Sequence, residues 1–283
     1  MKISRLPRAL RRRSQEALRF TKSLGGSWFG RARLFWQVMT LPRDGTVLRR
    51  LQCRYDGHGF SIHCCSFREL APFVEVFVAG DYEGDWKQCR TILDIGANIG
   101  AASLFFSIRS PGARIFAIEP DTDNVIRLRP NLAQIPGALH VQKAIAGTTG
   151  PLTFYRTEGF NLGASLMEKR AGFVEVAVEA IAFDELLAEL LLDSVDLCKF
   201  DIEGAEFEAF SGLADTSRIR QFVGEYHEDL ARKPVAEFLR LFPKHTTEAV
   251  EIAPQRYVCR GVLKQVPIVI PARLPEFEAT AAA

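Results

Sequence analysis

No stretch of the chain approaches the roughly 20 consecutive apolar residues that a membrane-spanning helix needs. No apolar segment follows the basic N-terminus as a secretory leader would require. Cysteine is sparse and wrongly spaced for metal or redox work: Cys53, Cys64, Cys65, Cys89, Cys198 and Cys259 include no C-x₂-C pair. A chain of 283 residues can build its core without disulfide staples. Together these absences lead to the expectation of a reduced, cytoplasmic compartment. Low complexity and wholesale disorder are excluded as well, because 47% of the residues are hydrophobic and 25% charged, ordinary globular proportions.

What the sequence does have is charge separated along its length. Residues 1–54 hold 14 Lys/Arg against only Glu16 and Asp44, a net of +12, so the remainder carries −10 beneath an overall +2. A basic arm on an acidic body is implied. Within the arm, Arg11–Arg13 precede an aromatic cluster of Trp28, Phe29, Phe35 and Trp36, and Leu6, Leu10, Ala17 and Leu24 fall near helical spacing. The favoured expectation is a tail followed by a helix packed on the body. The other is peripheral contact of residues 1–40 with an anionic membrane. Nothing in the arm specifies nucleic acid.

From residue 85 onward the pattern becomes regular. Strands are expected at 91–95, 114–118, 139–146, 195–200 and 221–225, with one or two closing strands in 257–270. Helices are expected at Ala101–Arg109, Asp121–Ala133, Phe183–Leu192, Ala205–Ala214 and Val235–Phe242. Segments 151–155 and 173–181 suggest an inserted hairpin, and the short alternating segments from Leu51 to Ala79, 72–78 (PFVEVFV) among them, suggest strands or a strand and a helix. Alternation of strands and helices at this spacing predicts an α/β fold with a doubly wound, mostly parallel sheet. Ligands should then bind beyond the carboxyl ends of the strands.

Four strand ends carry chemistry. The first reads Asp94-Ile95-Gly96-Ala97-Asn98-Ile99-Gly100. Gly96 allows a tight turn, and Gly100 a close approach of the helix to the sheet. Asp94 stands where the dinucleotide fingerprint has its first glycine, and a carboxylate there opposes a pyrophosphate. It favours a cationic, phosphate-free ligand, which S-adenosylmethionine is. Glu119 ends the next strand, 23 residues after Gly96, close to the ~20 typical of an acid that grips ribose hydroxyls. The fourth strand leads into Asp201, Glu203 and Glu206, acids that could cap a helix, orient a hydroxyl or take its proton. They leave room for a divalent metal without requiring one. The fifth ends in Glu225-Tyr226-His227, and an extended backbone would point Glu225 and His227 to one face. His227 is expected to act as base with Glu225 fixing its tautomer, while Asp201 and Glu203 orient the acceptor.

The runs 92–106 (ILDIGANIGAASLFF), 118–132 (IEPDTDNVIRLRPNL) and 194–207 (SVDLCKFDIEGAEF) resemble the FkbM family of S-adenosylmethionine-dependent methyltransferases, over about residues 90–230. The resemblance implies a class I, Rossmann-like fold with seven strands, the last antiparallel. It also implies O-methylation of a sugar, glycan or polyketide-type hydroxyl. It assigns Asp94, Gly96, Ala97, Asn98 and Gly100 to the methionine side of the cofactor and Glu119 with Pro120 to the ribose. Asn124 follows in the next helix, Ala144 is placed at the adenine edge, and Asp201 and Glu203 match the family's signature. The resulting division is a basic, partly helical extension over 1–50 and a methyltransferase domain over 51–283. Asn161 and Ser165, in the inserted segment, are expected to meet the acceptor. A nicotinamide-dependent dehydrogenase is the rival enzyme, disfavoured by Asp94, and a catalytically silent scaffold anchored by its arm is the rival from another class.

Overall fold

The computed structural model describes residues 8–157 and 173–264, and Asn161 and Ser165 lie outside them. Two helices open the chain, α1 (Arg8–Leu24) and α2 (Trp28–Thr40). Ser27 starts α2 by accepting the Gly30 N–H on its side chain. Ala17, Phe20 and Leu24 from α1 and Leu34 and Val38 from α2 are buried in one cluster with the body of the protein. Along residues 8–40 the arm therefore packs on its own chain. A hairpin follows, β1 (Arg49–Tyr55) and β2 (His58–Cys64), turned at Asp56-Gly57, both with positive φ.

Segment 72–78 takes the helical alternative: α3 (Ala71–Val74) runs into one wide π turn, Glu75–Ala79. Pro72 permits this outcome. It stands in the first turn of the helix, where its missing N–H costs nothing, and Gly80 in the left-handed conformation ends the segment.

The central unit runs β3 (Thr91–Ile95), α4 (Ala101–Arg109), β4 (Arg114–Ile118), α5 (Thr122–Leu132) and β5 (Leu139–Val141). Asp121 caps α5, accepting from the N–H groups of Asp123 and Asn124. The expected strand 139–146 is split in two. Polar Gln142 and Lys143 separate β5 from β6 (Ala144–Ala146), which leaves the main sheet to pair with β8 (Phe173–Ala182). Strand β8 also pairs antiparallel with β7 (Gly150–Thr157), the inserted hairpin. The chain continues through α6 (Phe183–Glu189), β9 (Leu197–Phe200), α7 (Glu206–Ser211), β10 (Gln221–His227), α8 (Glu228–Ala231), α9 (Val235–Arg240), β11 (His245–Ala253) and β12 (Arg256–Leu263). Strand β11 was not expected from the sequence. Apart from buried His245, its residues are exposed or half-buried, so no apolar run marks it.

Seven strands form the main sheet in the order β11-β12-β10-β9-β3-β4-β5. Pairings from β10 to β5 are parallel, and β12 runs antiparallel to both β10 and β11. This is the class I, Rossmann-like arrangement. Alternate residues of the central strands feed two cores, as the two-residue period of a strand requires. Ile92, Ala117, Leu197 and Val223 face the side that carries α1, α2 and α4. Leu93, Ile95, Phe116, Phe200 and Phe222 face a phenylalanine-rich layer with Phe183, Phe210, Phe238 and Phe242. The chain order reverses between β3 and β9, so their carboxyl ends open the crevice where a ligand can enter.

If α1 is part of the core, Phe20→Ala should cost about 3–5 kcal/mol in urea denaturation. Trp36→Ala, on the exposed side of α2, should stay within about 0.5 kcal/mol. Equal, small effects would make the helices a loose appendage.

Candidate functional site

The turn after β3 is built by close approach. A Cβ on Gly96, at φ +72, would lie 1.9 Å from the Asp201 carbonyl oxygen, so the turn presses directly on the chain leaving β9. Gly100, at φ +92, starts α4, and a Cβ there would come within 3.0 Å of Leu128 and 3.5 Å of Asn131. The close neighbour of Gly100 is thus α5, not the sheet.

Asp94 is fully buried. Its carboxylate accepts from the Ser103 hydroxyl at 2.6 Å and pairs with Lys199 at 3.2 Å. The Lys199 ammonium also donates to the Gly96 carbonyl at 2.7 Å. Burial works against that ammonium, but Asp94 and Asp201 outweigh it and hold its pKa above the ordinary lysine value. Asp94 therefore anchors the turn from beneath, its charge met by Lys199, and does not line the cleft.

Glu119 ends β4 and is buried. It accepts from the Asn98 N–H at 2.8 Å, from the Asp121 N–H at 3.0 Å and from the Asn124 amide at 3.2 Å. Burial raises its pKa to about 7 against the pull of those donors. The Asn124 side-chain oxygen beside it is buried without a hydrogen-bond partner among the described residues. Pro120 is half-buried next to this group, whereas Ala144 is buried at the start of β6, outside the main sheet.

A cleft of about 170 Å³ opens at the switch point. Gly96, Ala97 and Asn98 line it from the turn, and Asp201, Glu203 and Glu225 from the ends of β9 and β10. Glu75, Tyr82 and Arg256 also line it, and sequence reasoning missed all three. Glu75 was hidden in an alternating segment, and Arg256 arrives from the last strand, so no local motif marked either. Glu203 has φ +51, a left-handed conformation unusual for a side chain other than Asn or Asp. It is followed by Gly204, also left-handed.

The acids crowd one another. Burial, followed by the charge of Asp201, raises Glu75 to about 7 and Glu225 to about 8. Burial raises Glu203 to about 7 although His227 pulls the other way. The two cations lining the cleft are both engaged: Lys199 on Asp94, and Arg256 on Asp229 at 3.5 Å. The cleft is left with an excess of negative charge.

His227 is only 1% exposed and stands behind these acids. Strand β10 does extend to His227, but the carboxylate that fixes its ring is Glu206, at 2.9 Å from Nδ1, rather than Glu225. Glu206 is fully buried and also accepts from the N–H groups of Ile202 and Gly204. Burial would lower the imidazole pKa, but Glu206, Asp201 and Glu203 override it and hold it at about 10. The ring stands behind the carboxylates that line the cleft, and their charge favours its protonated form, so the expected role as general base toward an acceptor does not suit this geometry.

Residues 94–246 match the family model described as the methyltransferase FkbM domain. Among curated proteins the chain is similar to the 2-O-methyltransferase NoeI of Sinorhizobium fredii, 26% identical over 176 residues, covering 56% of this chain and 72% of that protein. It is also similar to the hexuronic acid methyltransferase AglP of Haloferax volcanii, at 27% identity over 58% of this chain and 72% of the relative. The 31-O-demethyl-FK506 methyltransferase FkbM of Streptomyces tacrolimicus is 29% identical, over 53% and 70%. Among solved structures, methyltransferase FkbM from Methylobacillus flagellatus superposes with a TM-score of 0.44 at 12% identity, covering 90% of this chain but 60% of that one.

The buried pair beneath the turn generates a stability test. Lys199→Met should cost about 3–5 kcal/mol because it strands the Asp94 carboxylate. The double variant Asp94→Leu/Lys199→Met should recover much of that loss in the same denaturation assay. Additive losses would show that the two residues act separately.

Proposed function

The chain belongs to the FkbM methyltransferase family, and from that premise we propose that it transfers the methyl group of S-adenosylmethionine to a hydroxyl oxygen of a sugar, glycan or polyketide-type small molecule. One observation carries this reading. Gly96, Ala97 and Asn98 of the turn line one cleft together with the acids Asp201, Glu203 and Glu225, and buried Glu119 holds the N–H of Asn98 in that turn. The relatives named for 2-O-methylation and for 31-O-demethyl-FK506 support an oxygen acceptor, and the one named for a hexuronic acid supports a sugar.

The donor set suits the cofactor. An acidic cleft with its lysine and arginine engaged favours a ligand bearing an ammonium and a sulfonium. Glu119 and the unpartnered oxygen of Asn124 supply acceptors for ribose hydroxyls. Gly96, Ala97 and Asn98 bring backbone close to the ligand. When bound, the cofactor supplies an electrophilic methyl carbon that needs no further activation.

The chain's own task is to align the acceptor oxygen and to remove one proton. We assign the proton to Glu203, which lines the cleft and is aimed by its left-handed backbone. Asp201 helps orient the acceptor, and His227 stays behind as a support. Glu203→Gln should lower kcat by about 100- to 10,000-fold with cofactor affinity nearly unchanged. Glu119→Ala should instead abolish most S-adenosylmethionine binding by calorimetry. A Glu203→Gln enzyme of parental rate would remove that residue from the chemistry. Tight cofactor binding by Glu119→Ala would remove the ribose assignment.

The basic extension completes the reading. Trp28, Phe29 and Trp36 are 74%, 78% and 68% exposed on α2, and exposed Arg19, Lys22, Arg31 and Arg33 accompany them. Aromatics flanked by bases fit an anionic lipid surface, with each base close to it contributing about 1 kcal/mol. No helix among the described residues is long and apolar enough to cross a membrane, so contact would be peripheral. Co-sedimentation with anionic vesicles should be salt-sensitive and should fall in a Trp28→Ser/Phe29→Ser/Trp36→Ser variant. Identical sedimentation of parent and variant would overturn the lipid assignment.

A further inference from the structure

His227 sits at the edge of the acidic cluster in a geometry that ordinary hydrogen bonding does not account for. Its Nδ1 is held at 2.9 Å by the buried Glu206. Its Nε2 points toward three carboxylate oxygens: Asp201 at 3.9 Å, Glu203 at 3.7 Å and Glu225 at 3.7 Å. A charge-assisted N–H···O contact closes to about 2.7–2.9 Å. Each of these gaps is about 1 Å wider than that, although the ring is almost wholly buried and aimed straight into the group.

Separations of this size are what two donors adopt around one ion. With metal–ligand bonds of about 2.0–2.2 Å, a nitrogen and an oxygen on the same cation stand roughly 3–4 Å apart. One donor atom each from Asp201, Glu225 and His227 lies within 4.8 Å of the others. The outer contact is also of the right kind. A ligating histidine commonly gives its second N–H to a carboxylate, which fixes the tautomer and turns the free nitrogen toward the metal. Glu206 is placed to do that, and it is itself held by the N–H groups of Ile202 and Gly204.

We propose that Asp201, Glu225 and His227 bind one divalent cation at the wall of the cleft that Asp201 and Glu225 line, with Glu206 orienting the imidazole. Two carboxylates and one imidazole suit an ion of the Mn²⁺ or Zn²⁺ type. The ion's role, holding the acceptor oxygen beside Glu203, rests on the methyltransferase reading. Its binding does not.

The test is a Mn²⁺ titration of the full chain, following the free-ion signal by electron paramagnetic resonance, with Zn²⁺ as competitor. The expected result is one site per chain that Zn²⁺ displaces. Glu225→Gln should weaken it at least tenfold, and Glu206→Gln by about 10- to 100-fold. Asp215→Asn, an exposed acid before the start of β10 and so at the opposite end of that strand from Glu225, should bind as the parent does. Circular dichroism of each variant separates lost ligation from lost folding, and the conservative Glu225→Asp should restore part of the affinity. Calorimetry of S-adenosylmethionine in chelator-treated buffer tests the parent reading separately. Intact cofactor binding with an unchanged free Mn²⁺ signal would overturn the metal site alone. Mn²⁺ binding that is indifferent to Glu225→Gln and Glu206→Gln would place the ion elsewhere and overturn it equally.

Discussion

A buried ion pair between neighbouring strands holds the centre of this protein. Asp94 and Lys199 are register partners on β3 and β9, both inaccessible to water. Such a pair repays its desolvation only when further hydrogen bonds complete both groups. Ser103 completes the carboxylate, and the Gly96 carbonyl completes the ammonium. The lysine therefore ties the carbonyl side of the turn to the adjoining strand, and Gly96 can press on the Asp201 backbone without a side chain between them. Gly96 and Lys199 both line the cleft, so this arrangement forms part of its wall.

The second constraint is the crowding of acids at the same strand ends. Glu75, Asp201, Glu203 and Glu225 share a partly buried space, where ionising all of them is costly. The molecule answers part of that cost with His227, whose charge is favoured by its surroundings. A cationic ligand answers more of it. Cofactor preference and acid crowding are thus two aspects of one electrostatic arrangement, as is common where a site must take up positive charge.

The N-terminal helices show how a sequence feature can serve two surfaces at once. Their apolar faces complete the core on one side of the sheet, while their outer faces carry the exposed aromatics and much of the basic charge. A charge count sees only the second surface. The helical spacing of Ala17 and Leu24 pointed to the first, and it is the packing of Phe20, Leu34 and Val38 beside them that joins the arm to the body.

By itself, the sequence determined the parallel core of the sheet, the turn at Gly96 and the acid at Glu119. Each of these depends on local rules: two-residue and 3.6-residue periods and glycine's tolerance of positive φ. The π turn over 75–79, the departure of β6 to a second sheet and the exposed strand β11 were decided by tertiary contacts, because their local patterns are ambiguous or polar. The same holds within the site. Sequence brought Asp201, Glu203, Glu225 and His227 to notice, but only folding showed that Asp94 is spent on Lys199 and that Glu206 holds the His227 ring. Partners 105 and 21 residues apart in the chain leave no periodic trace, since pairing at a distance is set by the register of strands and the packing of their ends.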